Sequence, residues 1–181
     1  MAMSKHCRVQ TLLDEEELEY DIASHVEAWT ARGVAAASHV PAREVAKAVV
    51  VRDGAGRYLM AVVPASCRLD LDALARASCH RGLTLATEDE VSRLFPDCEP
   101  GAVPPFGNLY DIPTFLDACV CDVPELFFSA GNRREVLAMR LPDYLWAARP
   151  MLGSFCLHAA TARDSPKALA ARPVRAAVTQ P

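Results

Sequence analysis

The stretch that decides the fold is Val45-Ala46-Lys47-Ala48-Val49-Val50-Val51, followed by the turn Asp53-Gly54-Ala55-Gly56 and the apolar run at 58–63. β-branched residues dominate it and turn residues close it, which is the pattern of a strand entering a hairpin. Side chains alternate faces along a strand, so Val45, Lys47, Val49 and Val51 share one face and Ala46, Ala48 and Val50 the other. Both faces are apolar, which marks a central strand. Lys47 is the exception. A lysine on such a face either snorkels its head to the sheet edge or holds an ammonium at the floor of a cleft, to meet an anion or a polarised carbonyl.

Working outward, the N-terminal side offers a short amphipathic helix around Val9, Leu12 and Leu13 and a strand at 20–23, with His25 after it. Thr30 caps a helix that runs to about Ala37, and Pro41 opens a further helical turn. Beyond the hairpin, Asp70 caps a helix with Leu71, Leu74 and Ala75 as its stripe, and a short strand follows at 83–86. Thr87 and Glu90 form a capping box ahead of Val91, Leu94 and Phe95. Further strands are expected at Phe115-Leu116, 126–129 and 135–139, and a last helix from Pro142 and Asp143 through Trp146. Hairpins with interspersed helices predict a single α+β domain over 1–150, with a curved, mixed or antiparallel sheet and flanking helices. From 151 to 181 the chain turns rich in Ala, Arg and Pro and reads as a basic, disordered tail.

Between the capping-box helix and the Phe115 strand lies Gly101-Ala102-Val103-Pro104-Pro105-Phe106-Gly107. Its prolines fix φ and remove two donors, and its glycines allow conformations costly to other residues. The expectation is a stiff, extended wall with the Phe106 ring at its tip.

Composition sets the outer bounds. The chain has 181 residues, 51% hydrophobic and 23% charged, with a formal net charge of −4. That balance excludes a broad DNA-binding face, which needs clustered Lys and Arg, but not a grip on one end of a tRNA. No apolar run approaches a membrane span, and 1–8 contain no apolar signal core, so a cytoplasmic protein is expected. Seven cysteines, an odd number without a C-x-x-C pair, read as inert buried thiols rather than a disulfide framework. Cys119-x-Cys121 places two thiols on one face if that stretch is a strand, yet its spacing is poor for zinc, so no metal is expected. No G-x-S-x-G elbow, H-E-x-x-H or P-loop occurs, and Ser66 and Ser129 lack triad partners. Asp117, near a strand end, reads equally as a loop-orienting group or a solvated cap.

The runs HVEAWTARGVAAASHVPAREVAKAVVV, LMAVVPASCRLDLDALA, LATEDEVSRLFPDCEPGAVPPFGN and FFSAGN together resemble the YbaK/EbsC aminoacyl-tRNA deacylase family, which includes the editing domain of bacterial prolyl-tRNA synthetases. The strand lysine and the G-x-x-P-P-F-G loop are its most specific marks, and the resemblance covers most of 20–147. It implies the same α+β fold and metal-free, cofactor-free hydrolysis of the ester joining a small, wrongly attached amino acid to the tRNA 3′ end. It implies that Lys47 orients the acylated terminal adenosine and that Gly101 and its loop offer backbone N–H groups. Val103, Pro104, Pro105 and Phe106 then wall the amino-acid pocket, and the turn at Gly131, Asn132 and Arg133 closes it. The implied partner is the acceptor end of an aminoacyl-tRNA, with an aminoacyl-tRNA synthetase as a candidate protein partner. Relatives commonly carry G-x-H where this chain has Gly131-Asn132-Arg133. The alternative is a non-catalytic relative that binds a tRNA end, a nucleotide or a partner protein.

Overall fold

The decisive strand does sit inside a sheet with both faces covered. In the computed structural model, which describes residues 8–158, β2 (Ala46–Arg52) pairs antiparallel with β3 (Tyr58–Pro64) along its whole length. Asp53 closes the hairpin by accepting the backbone N–H groups of Ala55 and Arg57, each at 2.9 Å. On the other side β2 meets only the two-residue β5 (Thr84–Leu85), and that pairing covers Val51 and Arg52 alone.

The five-stranded sheet is completed by β6 (Thr114–Asp117) and β9 (Met151–Gly153), in the order β5-β2-β3-β6-β9, with β6 parallel to both neighbours. An antiparallel sheet of β1 (Tyr20–Ser24), β8 (Glu135–Arg140) and β7 (Glu125–Ser129) lies beside it, joined by a parallel bridge between Val45 and Phe127. A third, two-stranded sheet pairs β4 (Cys67–Leu69) with β10 (Cys156–His158).

Ala46 and Val50 face a core shared with Met60, Leu116, Leu126, Phe128, Leu137 and Tyr144. Val51 faces a second core with Leu59, Phe115, Leu74 and Phe155. The helices pack on these surfaces and on a third, smaller cluster that joins Val34 and Ala35 to Val45, Ala65 and Val136. They are α1 (Arg8–Glu15), α2 (Ala31–Ala37), α3 (Leu71–Ser78), α4 (Glu88–Leu94) and α5 (Leu141–Ala148). Thr30, Asp70 and Thr87 cap α2, α3 and α4 as the sequence predicts, and the Thr87–Glu90 capping box is reciprocal. The fold is therefore α+β, with one mixed and two antiparallel sheets among the described residues.

The expected domain end at 150 is too early. β9 and β10 lie beyond it, and Phe155 between them is buried, its N–H donated to Asp117 Oδ2 at 2.5 Å and its carbonyl accepting from Asp70 N–H. These strands are three residues each, too short to carry a readable alternation. The remaining tail, from 159 to 181, lies outside the described residues, as do residues 1–7. The expected strand geometry for Cys119 and Cys121 is also corrected: both lie in a 3-10 turn, Ala118–Asp122, capped by the Asp117 side chain. No helix among the described residues is long and apolar enough to cross a membrane.

Candidate active site

Where β5 ends, β2 keeps an open edge, and a cavity of about 370 Å³ lies against it. The Val50 carbonyl accepts from Ala86 N–H at 3.0 Å, so Val50 directs its backbone groups away from β3. Backbone direction alternates along a strand, and Ala48, two residues back, directs its N–H and C=O the same way. No strand pairs with it there among the described residues, and Ala48 lines the cavity. Leu85, Ala86, Glu88, Val91 and Ser92 form one wall, and Pro100, Gly101, Val103 and Trp29 another.

Lys47 is on this cavity and half-buried. Its Nζ donates to the Cys67 carbonyl at 2.9 Å, while Arg32 beside it donates to the carbonyls of Ala65 and Ser66. Burial, then the neighbouring Arg32 charge, lowers the Lys47 pKa from the ordinary lysine value. An ammonium carries three donors, and the Cys67 carbonyl uses one.

Gly101 has φ +81°, and a Cβ there would stand 3.0 Å from the Trp29 carbonyl oxygen. Both facts demand glycine. Gly107 at the other end of the loop is required by space instead, since a Cβ would meet the Ile112 carbonyl at 2.5 Å. Between them the loop departs from expectation. Pro104, Pro105 and Phe106 are buried and are not among the cavity walls. Phe106, with no exposed surface, packs on Phe128 and Tyr144 at centroid distances of 5.4 and 5.3 Å. Tyr144 Oη donates to the Pro105 carbonyl at 2.9 Å. The aromatic ring is thus the loop's anchor in the core rather than its exposed tip, because burying a phenylalanine contributes about 1.5–3 kcal/mol. Val103 and Gly101 remain as the loop's contribution to the cavity.

The Gly131-Asn132-Arg133 turn joins β7 to β8 and does not wall the cavity directly. Gly131, at φ +86°, gives its carbonyl to Glu99 N–H. Asn132 Oδ1 accepts from the N–H groups of Arg134 and Glu135, which fixes the turn. Arg133 reaches the cavity through Trp29. Its guanidinium lies 3.6 Å from the Trp29 ring centroid, and its Nε is 3.1 Å from Glu99 Oε2 and 3.6 Å from Glu27 Oε1. Its Nη1 is buried without a partner. Trp29 itself stays 64% exposed.

Sequence reasoning missed Trp29, Ala48 and the wall from β5 and α4. A lone tryptophan before a helix cap was the available signal, whereas the open strand edge has none. His25 points elsewhere: its Nδ1 donates to the Val26 carbonyl at 2.7 Å, and it does not line the cavity.

Among the described residues, the cavity walls hold no cluster of metal-ligating side chains. Asp117, Cys119 and Cys156 do come together elsewhere, their ligand atoms all within 4.8 Å of one another. Burial and a bond to Asp117 push the Cys119 thiol up to about 11, and burial likewise raises Cys121 and Cys156.

Residues 25–146 match the aminoacyl-tRNA editing domain, and the chain belongs to that family. It is similar to the crystal structure of a candidate trans-editing enzyme for prolyl-tRNA synthetase, at 23% identity and a TM-score of 0.74, over 87% of this chain and 99% of that one. A protein described only as hypothetical matches at 20% identity and TM-score 0.75, over 83% and 99% of the two chains. A scaffold from computational epitope grafting matches at 22% identity and TM-score 0.74, over 88% and 100%. No curated protein matches the sequence.

Proposed function

We propose that this protein is a free-standing aminoacyl-tRNA deacylase that hydrolyses the ester of a small, mischarged amino acid. The observation that carries the reading is the unpaired edge of β2 facing a confined cavity with Lys47 on it and the Gly101 turn opposite. Ester hydrolysis proceeds through an oxyanion, and preorganised N–H donors and a cation placed where that charge develops are the largest contributors to such catalysis. Ala48 N–H and the Lys47 ammonium supply both kinds of group. The terminal adenosine needs an aromatic platform, which Trp29 offers, and base–aromatic stacking is worth about 1–3 kcal/mol.

The proton inventory shapes the mechanism. No histidine lines the cavity among the described residues, and Arg133 stays protonated, so neither is a general base. The attacking water is instead positioned by backbone groups and by the substrate's own ribose hydroxyl. Arg133 acts by holding Trp29, over whose ring its guanidinium lies. Pro104, Pro105 and Phe106 act through the core by setting the position of Val103 and Gly101. The cavity, about 370 Å³, is of the ~300–1,000 Å³ size found for small-molecule sites, and the small cargo, alanine, serine or cysteine, follows from the family resemblance.

The missing imidazole favours the second reading, a relative that binds the acceptor end without hydrolysing it. Deacylation of alanyl-, seryl- and cysteinyl-tRNA at saturating protein separates the two. Release of amino acid above the spontaneous rate supports the enzyme, and binding without release supports the alternative.

A further inference from the structure

The ends of three strands bring together side chains that the cavity does not use. Asp117 closes β6, Cys119 follows in the 3-10 turn, Cys156 opens β10 and Cys67 opens β4. Asp117, Cys119 and Cys156 place a carboxylate oxygen and two sulfurs within 4.8 Å of one another. The Cys156 thiol is also in hydrogen-bonding reach of Cys67, which is buried and lies outside that group of three, so its thiol has to turn further than theirs to join them. In a tetrahedral zinc site, Zn–S bonds of about 2.3 Å and Zn–O bonds of about 2.1 Å put neighbouring ligand atoms roughly 3.5–3.8 Å apart. These three ligand atoms therefore need to close by up to about 1.3 Å, within the reach of thiol rotation.

Asp117 is oriented as a ligating carboxylate is. Its oxygens accept from Phe155 N–H at 2.5 Å and Cys119 N–H at 2.9 Å, which fixes the group. A carboxylate has about four lone-pair sites, so these bonds leave room for a metal, and such outer contacts orient ligands in known sites. The charge also balances. Three thiolates, one carboxylate and a divalent cation sum to −2, and the Lys47 ammonium is bonded to the carbonyl of Cys67 itself, with Arg32 on the two preceding carbonyls.

We propose that Asp117, Cys119 and Cys156, with Cys67 as the fourth ligand, form a structural site for a thiophilic divalent cation of the zinc class. Four metal–ligand bonds form, three S–H protons pass to solvent, and nothing is oxidised or reduced. The closed ligand set leaves no position for substrate, so the ion is a staple: it ties β10 and the 3-10 turn to β4, whose first carbonyl anchors Lys47. The ligands are far apart in the chain, at 67, 117, 119 and 156, so no paired motif announces them.

The test uses the untagged full chain, stripped with chelator and titrated with Zn2+ or Co2+ alone. The expected result is one equivalent bound, a tetrahedral visible spectrum with thiolate charge-transfer bands for Co2+, and a higher melting temperature with Zn2+. Cys119→Ser and Cys156→Ser should each weaken binding at least ~100-fold, while Cys79→Ser and Cys7→Ser leave it unchanged. Should the serine variants fail to fold, alkylation of wild type followed by peptide mapping decides: Zn2+ must protect Cys67, Cys119 and Cys156 but not the exposed Cys79. Substoichiometric binding, an octahedral Co2+ spectrum, unchanged binding in Cys119→Ser, or protection at other cysteines overturns the site.

Discussion

Replacing Lys47 by methionine keeps most of the side-chain volume and removes only the charged head. The bond from Nζ to the Cys67 carbonyl is lost, and bonds to charged groups contribute about 1.5–3 kcal/mol. Opposing this, the half-buried ammonium is poorly solvated, as its lowered pKa records, and methionine does not carry that cost. Partial exposure screens both effects. The net change in stability is within about 1 kcal/mol, or roughly 2–4 °C in melting temperature for a chain of this size. If the ammonium stabilises the oxyanion, deacylation falls at least ~100-fold, about 2.7 kcal/mol of barrier. The assay is single-turnover deacylation of alanyl-tRNA alongside thermal melts of both proteins. Wild type should also lose rate on the alkaline side earlier than an ordinary lysine dictates, because Lys47 gives up its proton at lower pH, and the variant should lack that limb. Equal single-turnover rates in two proteins of equal stability would refute the catalytic role and leave Lys47 as a tether for the β3–β4 turn.

The other expectations are narrower. Gly101→Ala forces a side chain into positive φ and against the Trp29 carbonyl, costing about 1–2 kcal/mol of stability, measurable by denaturant titration, with a loss of activity beyond what the unfolded fraction explains. Arg133→His removes the stack on Trp29 and the Glu99 pair; KM or cargo preference should shift more than the maximal rate, and an inert wild type beside an active histidine variant would show that the arginine had disarmed the site. Glu90, held at about 2 by bonds from Thr87 and Tyr58, contributes stability above the ordinary carboxylate pKa that is lost as pH falls towards 2. The melting-temperature gap between wild type and Glu90→Gln should therefore be full at pH 6 and shrink below about pH 4.5; a gap independent of pH would contradict it.

Local signals carried much of this protein. Alternation over 45–51, the glycine-containing turn at 53–56 and the caps at Thr30, Asp70 and Thr87 depend on neighbours a few residues apart, and each is where the sequence places it. Lys47 was legible because one polar residue interrupts an apolar face, and Gly101 because the loop around it is dense in glycine and proline. What tertiary structure decided depends on contacts between distant residues. Phe106 reads as an exposed tip beside two prolines, yet Phe128 and Tyr144 bury it, and neither is near it in sequence. β9 and β10 gain their place from β6 and β4, not from their own three residues. The open edge at Ala48 exists only because β5 stops after two residues, and the length of a neighbouring strand is not written in the strand it leaves uncovered. Asp117, Cys119 and Cys156 meet for the same reason: two loop closures carry them to one point, and spacing along the chain does not record that distance.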